Sequence, residues 1–317
     1  MKIIFLFLVY KNVDFVSHTC SQLSGDDVYF YLHVDKKSQE QWDKLRGIKN
    51  LFFLKERFDS KWGGPELVYA TIGGLKEICR THDDGWIILM SESDYPVKTI
   101  EYIKDYLSLR PKDYIKSSPL PCDNPLGYPG NYWIEGGMRR VNSYALRLGP
   151  QKIATIEPRT FNWGNMRQFG KVLLFNPSKL GAARRLLFSQ KRTLPAGIRY
   201  YCGGDQWFIL RISTGRKILD FIRDNPQVLD DAKYIECVDE VFFQTIVAHV
   251  VPKEETVCST LRFINWPIGQ SDSPGYLEMN NLEMLDRQID DKDVLFVRKV
   301  KDEEVANYID ERLCNGI

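Results

Sequence analysis

The sequence predicts an α/β fold with a mixed central sheet flanked by helices. Residues 2–10 and 28–35 are continuous apolar runs, typical of strands buried on both faces, and a helix-length segment separates them. A third apolar run, residues 86–90, follows a helix predicted over residues 66–80. Strands that alternate with helices in this way form β-α-β units.

The later part of the chain gives a weaker pattern. We predict short strands at residues 51–54 and 171–175 and helices near residues 177–188 and 214–224. Residues 111–170 are rich in proline, glycine and aromatic residues and are predicted to be irregular. A long irregular region inside a compact chain is usually functional or mobile, so we expect it to line a binding site or act as a lid.

Composition is that of a globular protein with no global charge bias. The chain has 317 residues, of which 44% are apolar and 27% charged, and its net charge is +1. Such a balance gives no electrostatic reason to expect nucleic acid as a partner, so an anion site must be local. The aromatic content of 13% suits stacking surfaces for sugars and bases, and equally a large core.

The N-terminal apolar run ends at Lys11 without a small-residue cleavage site, which favours a buried strand over a signal peptide. No other stretch approaches the roughly 20 apolar residues that cross a bilayer, so no transmembrane segment is expected. Seven scattered cysteines without a CxxC pair argue against a disulfide framework or a zinc site and favour a reducing compartment.

Two adjacent carboxylates, Asp239 and Glu240, precede an apolar-periodic run that predicts a helix. An acid at a helix start is explained by capping and by the helix dipole. Only one carboxylate is needed for a cap, so the other is free to project into a cleft as a general base, and Glu240 is our candidate.

Polar or aromatic residues also follow several predicted strands. Asp35 ends the second strand, where open sheets bind ligands, although a loop Asp would explain it equally. Trp62 stands beside two glycines, which suits a ligand surface or a wedge in the core. The stretch 91–96 follows a buried strand, a position where functional loops are common.

Two further stretches complete the set of candidates. Asp205 and Trp207 follow a Gly-Gly pair, and Arg298 and Lys299 end a short apolar strand. Basic pairs usually belong to a solvated surface, which is the alternative for the last two.

Six of these stretches together resemble a known family. They are His33–Ser38, Trp62–Gly64, Ser91–Pro96, Gly203–Trp207, Val238–Thr245 and Phe296–Lys299. In this order they are similar to motifs of the core-2/I-branching β-1,6-N-acetylglucosaminyltransferases and the peptide O-xylosyltransferases, together glycosyltransferase family 14. The resemblance implies a Rossmann-like GT-A fold that transfers a sugar from a UDP-sugar with inversion, without a metal or other cofactor.

The resemblance also implies roles for individual residues. Glu240 would be the catalytic base. Donor-nucleotide contacts would come from Val9, Asp35, Arg262, Arg298 and Lys299, of which Asp35 would pair with uracil and the cations would hold the diphosphate. Sugar and acceptor contacts would come from Trp62, Asp94, Asp205 and Trp207.

The family pattern further predicts the organisation and partners of the chain. We expect a single GT-A domain over residues 1–317, with a nucleotide-binding half at 1–110, an acceptor and catalytic half at 111–260, and a segment at 261–317 that completes the diphosphate site. The partners would be a UDP-sugar, carrying N-acetylglucosamine or xylose, and a glycan acceptor. Since the membrane anchors and disulfides of the animal enzymes are not evident, we expect a compact bacterial-type member, cytoplasmic and peripheral to membrane-bound glycan assembly.

Two alternatives stay open at this point. Glu92 and Asp94 have the acid-x-acid spacing with which a metal-dependent GT-A transferase holds Mg²⁺ or Mn²⁺. The chain could also be a non-catalytic glycan-binding protein, because a fold does not guarantee its chemistry.

Overall fold

The computed structural model describes residues 1–128, 132–266 and 273–314. Its strands are β1 (Ile3–Val9), β2 (Val28–Val34), β3 (Leu51–Phe53), β4 (Trp86–Ser91), β5 (Asp94–Pro96), β6 (Asp113–Ile115), β7 (Ser118–Pro119), β8 (Tyr144–Gly149), β9 (Lys152–Ile156), β10 (Cys202–Gly203), β11 (Phe208–Arg211), β12 (Thr256–Val257), β13 (Arg262–Ile264) and β14 (Phe296–Arg298). Its helices are α1 (Val13–Gln22), α2 (Glu66–Thr81), α3 (Ile100–Leu109), α4 (Met138–Asn142), α5 (Trp163–Phe175), α6 (Leu180–Leu187), α7 (Ile212–Asp224), α8 (Gln227–Ala232), α9 (Phe242–Val250), α10 (Leu282–Asp290) and α11 (Glu303–Cys314).

The central sheet has seven strands in the order β12-β6-β11-β4-β1-β2-β3. β1 lies between β2 and β4 and is parallel to both, whereas β11 is antiparallel to β4 and β6. The sheet is therefore mixed, and the predicted fold class is confirmed. Every residue of β1 is buried, which explains why its sequence is apolar without alternation.

Helices cover both faces of this sheet. Ile4, Leu6 and Leu8 of β1 belong to an apolar cluster that also contains residues of α2, α7 and α9. The alternate residues of β1 pack in a second cluster with residues of α1 and α3. The period of two along a strand thus divides one apolar run between two cores. None of the helices in the described ranges is long and apolar enough to span a membrane.

A smaller sheet joins segments that are far apart in the sequence. Its order is β13-β14-β5, with β14 parallel to β13 and antiparallel to β5. The register sets Arg298 opposite Asp94 on one side and Ile264 on the other. Because β5 follows β4 after a two-residue turn, this sheet stands at the carboxyl edge of the central sheet.

The predictions for the middle of the chain need correction. Residues 171–175 are not a strand but the last part of helix α5, and residues 111–170 contain an antiparallel hairpin of β8 and β9. Leu173 and Leu174 are exposed while Asn165 is buried, so the apolar pattern that predicted a strand does not report burial here. Residues 129–131 of this region lie outside the described ranges.

Candidate active site

A cleft with a volume of about 950 Å³ is lined by six of the ten residues proposed from the sequence. These are Trp62, Asp205, Trp207, Glu240, Arg298 and Lys299. The other four, Val9, Asp35, Asp94 and Arg262, do not line it. Carboxylates and cations come to this one cleft from segments that span most of the sequence.

The two adjacent carboxylates lie on a 3-10 turn, Val238–Glu240, which precedes α9. Glu240 accepts a hydrogen bond at Oε2 from Nη1 of Arg140, 2.5 Å away, and within the described ranges its Oε1 accepts none. Burial, with a further contribution from the charge of Glu240, raises the pKa of Asp239 to about 7. We call Asp239 and Glu240 the acidic wall.

Backbone and amide hydrogen bonds fix the acidic wall to its neighbours. The side chain of Gln244 donates to the carbonyl oxygens of Asp205 and Asp239 at 2.6 and 3.2 Å. The N–H of Gly204 donates to the carbonyl oxygen of Glu240 at 3.0 Å. A Cβ on Gly204 would stand 2.0 Å from the carbonyl oxygen of Lys116, so this approach requires glycine.

The turn that carries Trp62 is joined to the same segment. The carbonyl oxygen of Gly63 accepts from the N–H of Cys237 at 3.1 Å, and Gly63 has a φ of +66°, a conformation that favours glycine. Trp62 itself is half exposed at the rim of the cleft. The Trp62–Gly64 motif thus supplies both an aromatic surface and a backbone contact to Cys237, two residues before the acidic wall.

Asp205 is buried beside a cation and a phenol. Its Oδ2 lies 3.5 Å from Nζ of Lys116 and accepts from the hydroxyl of Tyr128 at 3.3 Å. Burial raises the pKa of Asp205, although Lys116 opposes the shift. The ring of Trp207 nearby carries the guanidinium of Arg298 at 4.3 Å from its centroid, an arrangement that cation–π attraction stabilises.

Arg298 and Lys299 also line the cleft, and we call this pair the cationic wall. Arg298 donates to the hydroxyls of Ser91 and Ser93 and to Asp94 at 2.5, 3.0 and 3.1 Å. Burial, with the charge of Arg298, lowers the pKa of Lys299 to about 8. Lys299 forms no ion pair with any described residue, so its charge is available to an anion.

Asp94 and Arg262 support this wall from beneath. Both side chains are fully buried, with Nε of Arg262 2.9 Å from Oδ1 of Asp94, and Arg262 also donates to the carbonyl oxygen of Leu89. Asp94 contacts Arg298, and Arg262 lies over the ring of Trp207, so both support residues that line the cleft. The direct contacts expected of Asp94 with a sugar and of Arg262 with a diphosphate stay predictions.

Two nucleotide-contact candidates lie at the carboxyl edge of the central sheet. Asp35 donates its N–H to the carbonyl oxygen of Val9 at 2.9 Å. The Asp35 carboxylate accepts from the backbone N–H groups of Lys37 and Ser60 at 2.9 and 3.0 Å. Asp35 therefore stabilises the loop that follows β2, as expected for a loop aspartate. The predicted contacts of Asp35 and Val9 with the uracil base stay predictions.

The sequence reasoning missed several residues of the cleft. The guanidinium of Arg140 stacks on the ring of Trp133 at 3.7 Å while it pairs with Glu240. Trp133 and Trp266 line the cleft, and each has a buried indole N–H without a partner among the described residues. Arg140 and Glu240 are 100 positions apart, so no local pattern predicts their pairing.

Comparison with known proteins gives a family-model match over part of the chain and two distant relatives. Residues 3–122 match the family model of the Core-2/I-Branching enzyme. The chain is 23% identical over 250 residues to Xylosyltransferase oxt of Drosophila melanogaster, which covers 75% of this chain and 23% of that protein. It is 29% identical over 93 residues to Xylosyltransferase oxt of Drosophila pseudoobscura pseudoobscura, which covers 27% and 11%. The chain thus spans less than a quarter of the length of these relatives.

Proposed function

We propose that this chain, whose residues 3–122 match the family model of the Core-2/I-Branching enzyme, is an inverting glycosyltransferase that uses a UDP-sugar. The observation that carries the proposal is the pairing of an acidic wall with a cationic wall in one cleft. Transfer from a UDP-sugar requires both charges, a base for the acceptor hydroxyl and cations for the leaving diphosphate. The motifs of the family supply the residues of both walls.

Glu240 is the proposed base. Arg140 holds one carboxylate oxygen, and Oε1 is left for the acceptor hydroxyl. As that hydroxyl oxygen bonds to the anomeric carbon, its proton passes to Glu240 and the bond from the anomeric carbon to UDP breaks on the opposite face. Fixing the carboxylate in advance removes the entropic cost of orienting it during the reaction.

Arg298 and Lys299 are proposed to stabilise UDP as it leaves. The diphosphate gains negative charge when the glycosidic bond breaks, so cations next to it stabilise the transition state more than the ground state. Arg298 is already fixed by two serines and Asp94, which leaves its position independent of the ligand. Lys299 would recover its full charge beside a diphosphate.

Metal independence is part of the proposal. The carboxylate of Asp94, one of the two acids with metal-ligand spacing, is paired with Arg262 and Arg298. A carboxylate neutralised by two guanidinium groups is a poor ligand for Mg²⁺ or Mn²⁺, which need uncompensated oxygen charge. No group of three potential metal-ligating side chains occurs in the described part of the chain.

Sugar recognition would use polar atoms that the protein leaves unpaired. Asp205 Oδ1, Asp239 Oδ1 and the indole N–H groups of Trp133 and Trp266 are buried without partners among the described residues. Buried polar groups normally have partners, and hydroxyls of a bound sugar would provide them. UDP-xylose is the first donor to test, since the relatives are called xylosyltransferases, and UDP-N-acetylglucosamine is the second.

The test is a screen of UDP-sugars for slow release of UDP with EDTA present. We expect one sugar to be hydrolysed by the wild type and not by Glu240→Gln. The matched control, Glu254→Gln, removes an exposed carboxylate that does not line the cleft and should retain the activity. Release that requires Mn²⁺ would contradict metal independence. The absence of both UDP binding and donor turnover would favour a non-catalytic glycan-binding protein.

A further inference from the structure

Several apolar residues of helix α5 face solvent, whereas two of its polar residues are buried. Trp163, Met166, Leu173 and Leu174 share one face of the helix, and Trp163 and Leu174 are 70% and 75% exposed. Asn165 and Gln168, in contrast, are only 5% and 7% exposed. The helix therefore presents an unpartnered apolar face to solvent.

The buried polar side chains explain how the helix is held in this orientation. Asn165 donates to the carbonyl oxygens of Glu157 and Thr160 and accepts from the N–H of Glu157. Gln168 accepts from the N–H of Thr155 in strand β9. These directional hydrogen bonds fix α5 against the hairpin of β8 and β9. The helix therefore cannot rotate to bury its apolar face.

The apolar surface continues beyond α5. Phe161 and Phe188 are both exposed, and their ring centroids are 5.8 Å apart. Phe161 precedes Trp163 by two residues, and Phe188 follows α6. Contiguous exposed apolar side chains of this number usually mark an interaction site on a protein surface.

This surface is also strongly cationic. Residues 158–194 contain eight lysines and arginines and no aspartate or glutamate, whereas the rest of the chain has a net charge of −7. Of the eight, Arg192 is paired with Asp231. Arg184 and Arg185 of α6 are exposed and form no ion pair with a described residue. Lys179, which precedes α6, is half-buried and likewise forms no ion pair with a described residue.

We propose that the α5–α6 surface, residues 158–194, docks on an anionic phospholipid membrane. Lipid supplies an apolar layer for Trp163 and Leu174 and phosphate charge for the arginines, as it does for amphipathic interfacial helices. A second copy of the chain is a poor occupant, because it would bring the same positive surface against itself. Nucleic acid would match the charge but not the exposed leucines.

Docking in this way places the cleft beside the lipid. Arg167 and Lys171 lie on the side of α5 adjacent to the apolar face, and both line the cleft. An acceptor that is itself attached to lipid would thus reach the cleft from the membrane surface. The docking surface does not depend on the proposed transfer chemistry, and the two are tested separately.

The experiment is sedimentation of the purified chain with vesicles of phosphatidylcholine, with and without about 30% phosphatidylglycerol. We expect binding at least about tenfold tighter to the anionic vesicles, weakened by 0.5 M NaCl because ions of that concentration screen surface charge within about 5 Å. No binding to anionic vesicles, or binding equal in both lipids, would overturn the proposal.

Variants assign the binding to this surface. Trp163→Ser with Leu174→Ser should weaken binding about tenfold or more without changing Tm, because both side chains are exposed. The control is Leu109→Ser, which removes an 82% exposed leucine at the end of α3 and should bind as the wild type does. Equal binding by the double variant would contradict the assignment. So would a wild type that dimerises and binds no vesicles, together with a double variant that is monomeric.

Discussion

The acidic and cationic walls of the cleft are built alike with opposite charges. Each contains two like charges adjacent in the sequence, Asp239 with Glu240 and Arg298 with Lys299. In each pair one member has a counter-ion, Arg140 for Glu240 and Asp94 for Arg298. The other member is shifted towards its neutral form, with the pKa of Asp239 near 7 and that of Lys299 near 8.

The support of the two walls differs. Arg298 ends β14, and its counter-ion comes from the neighbouring strand of the same sheet, so backbone hydrogen bonds fix their separation. Glu240 ends a 3-10 turn, and its counter-ion comes from α4 through contacts between side chains. Strand pairing therefore sets the separation of Arg298 and Asp94, whereas side-chain contacts set that of Arg140 and Glu240.

The largest effect is expected at the acidic wall. Glu240→Gln removes the proposed base and should lower kcat for transfer about 10²- to 10⁴-fold, the usual contribution of general base catalysis. Asp239→Asn should lower it less, because the neighbouring base remains. The measurement is the rate of UDP release with acceptor present. A larger loss in Asp239→Asn than in Glu240→Gln would assign the base to Asp239 instead.

The cationic wall is tested by Arg298→Lys. Lysine keeps the charge but lacks the planar fork that donates to Ser91, Ser93 and Asp94. We expect the Kd for UDP to rise about 100-fold, measured by calorimetry, since charged hydrogen bonds contribute about 1.5–3 kcal/mol each. Arg223→Lys, an exposed arginine in a surface ion pair of α7, is the control and should leave the Kd unchanged.

The raised pKa of Asp239 predicts a pH-dependent cost in stability. Its folded pKa near 7 exceeds the ordinary value of about 3.9, so the folded state binds the proton more tightly and loses stability as pH rises from about 4 to about 7. Asp239→Asn removes this loss. Its free energy of unfolding should exceed that of the wild type by on the order of 2 kcal/mol at pH 8, and by less at pH 5.

Thermal unfolding at both pH values measures this difference. Asp224→Asn, which neutralises a surface carboxylate at the end of α7, should change Tm little at either pH. A stabilisation by Asp239→Asn that is equal at pH 5 and pH 8 would show that the pKa of Asp239 does not cause it.

The two walls also differ in how far the sequence could predict them. β14 is a short apolar strand that ends in two cations, and β4 is an apolar strand followed by Ser91 and Asp94, so local patterns locate most of the cationic wall. Asp239 and Glu240 were found in the same way. Their partner Arg140 was not, because it lies 100 positions away, in a region whose secondary structure the sequence mispredicts.

Helix α5 shows the physical cause of that failure. Sequence methods assume that apolar residues are buried, and residues 171–175 therefore predict a strand. In α5 the buried positions are held by hydrogen bonds of Asn165 and Gln168, and the leucines face solvent. The hairpin and α5 share a small apolar cluster that includes Val172, but the buried Asn165 and Gln168 interrupt the apolar period of the helix, so the sequence gives no clear helical signal.

The smallest effect concerns Lys299 and sharpens the comparison between the walls. Its pKa near 8 means that the free protein loses this charge as pH rises through 8, whereas a bound diphosphate would hold the proton on Lys299. The Kd for UDP should therefore rise about tenfold between pH 7 and pH 9. Lys299→Arg stays charged throughout and should lose this dependence while it retains tight binding at pH 7. Titrations of UDP itself affect both proteins equally, so the difference between them isolates Lys299. The same pH dependence in both would show that Lys299 does not contact the diphosphate, and the cationic wall would then consist of Arg298 alone.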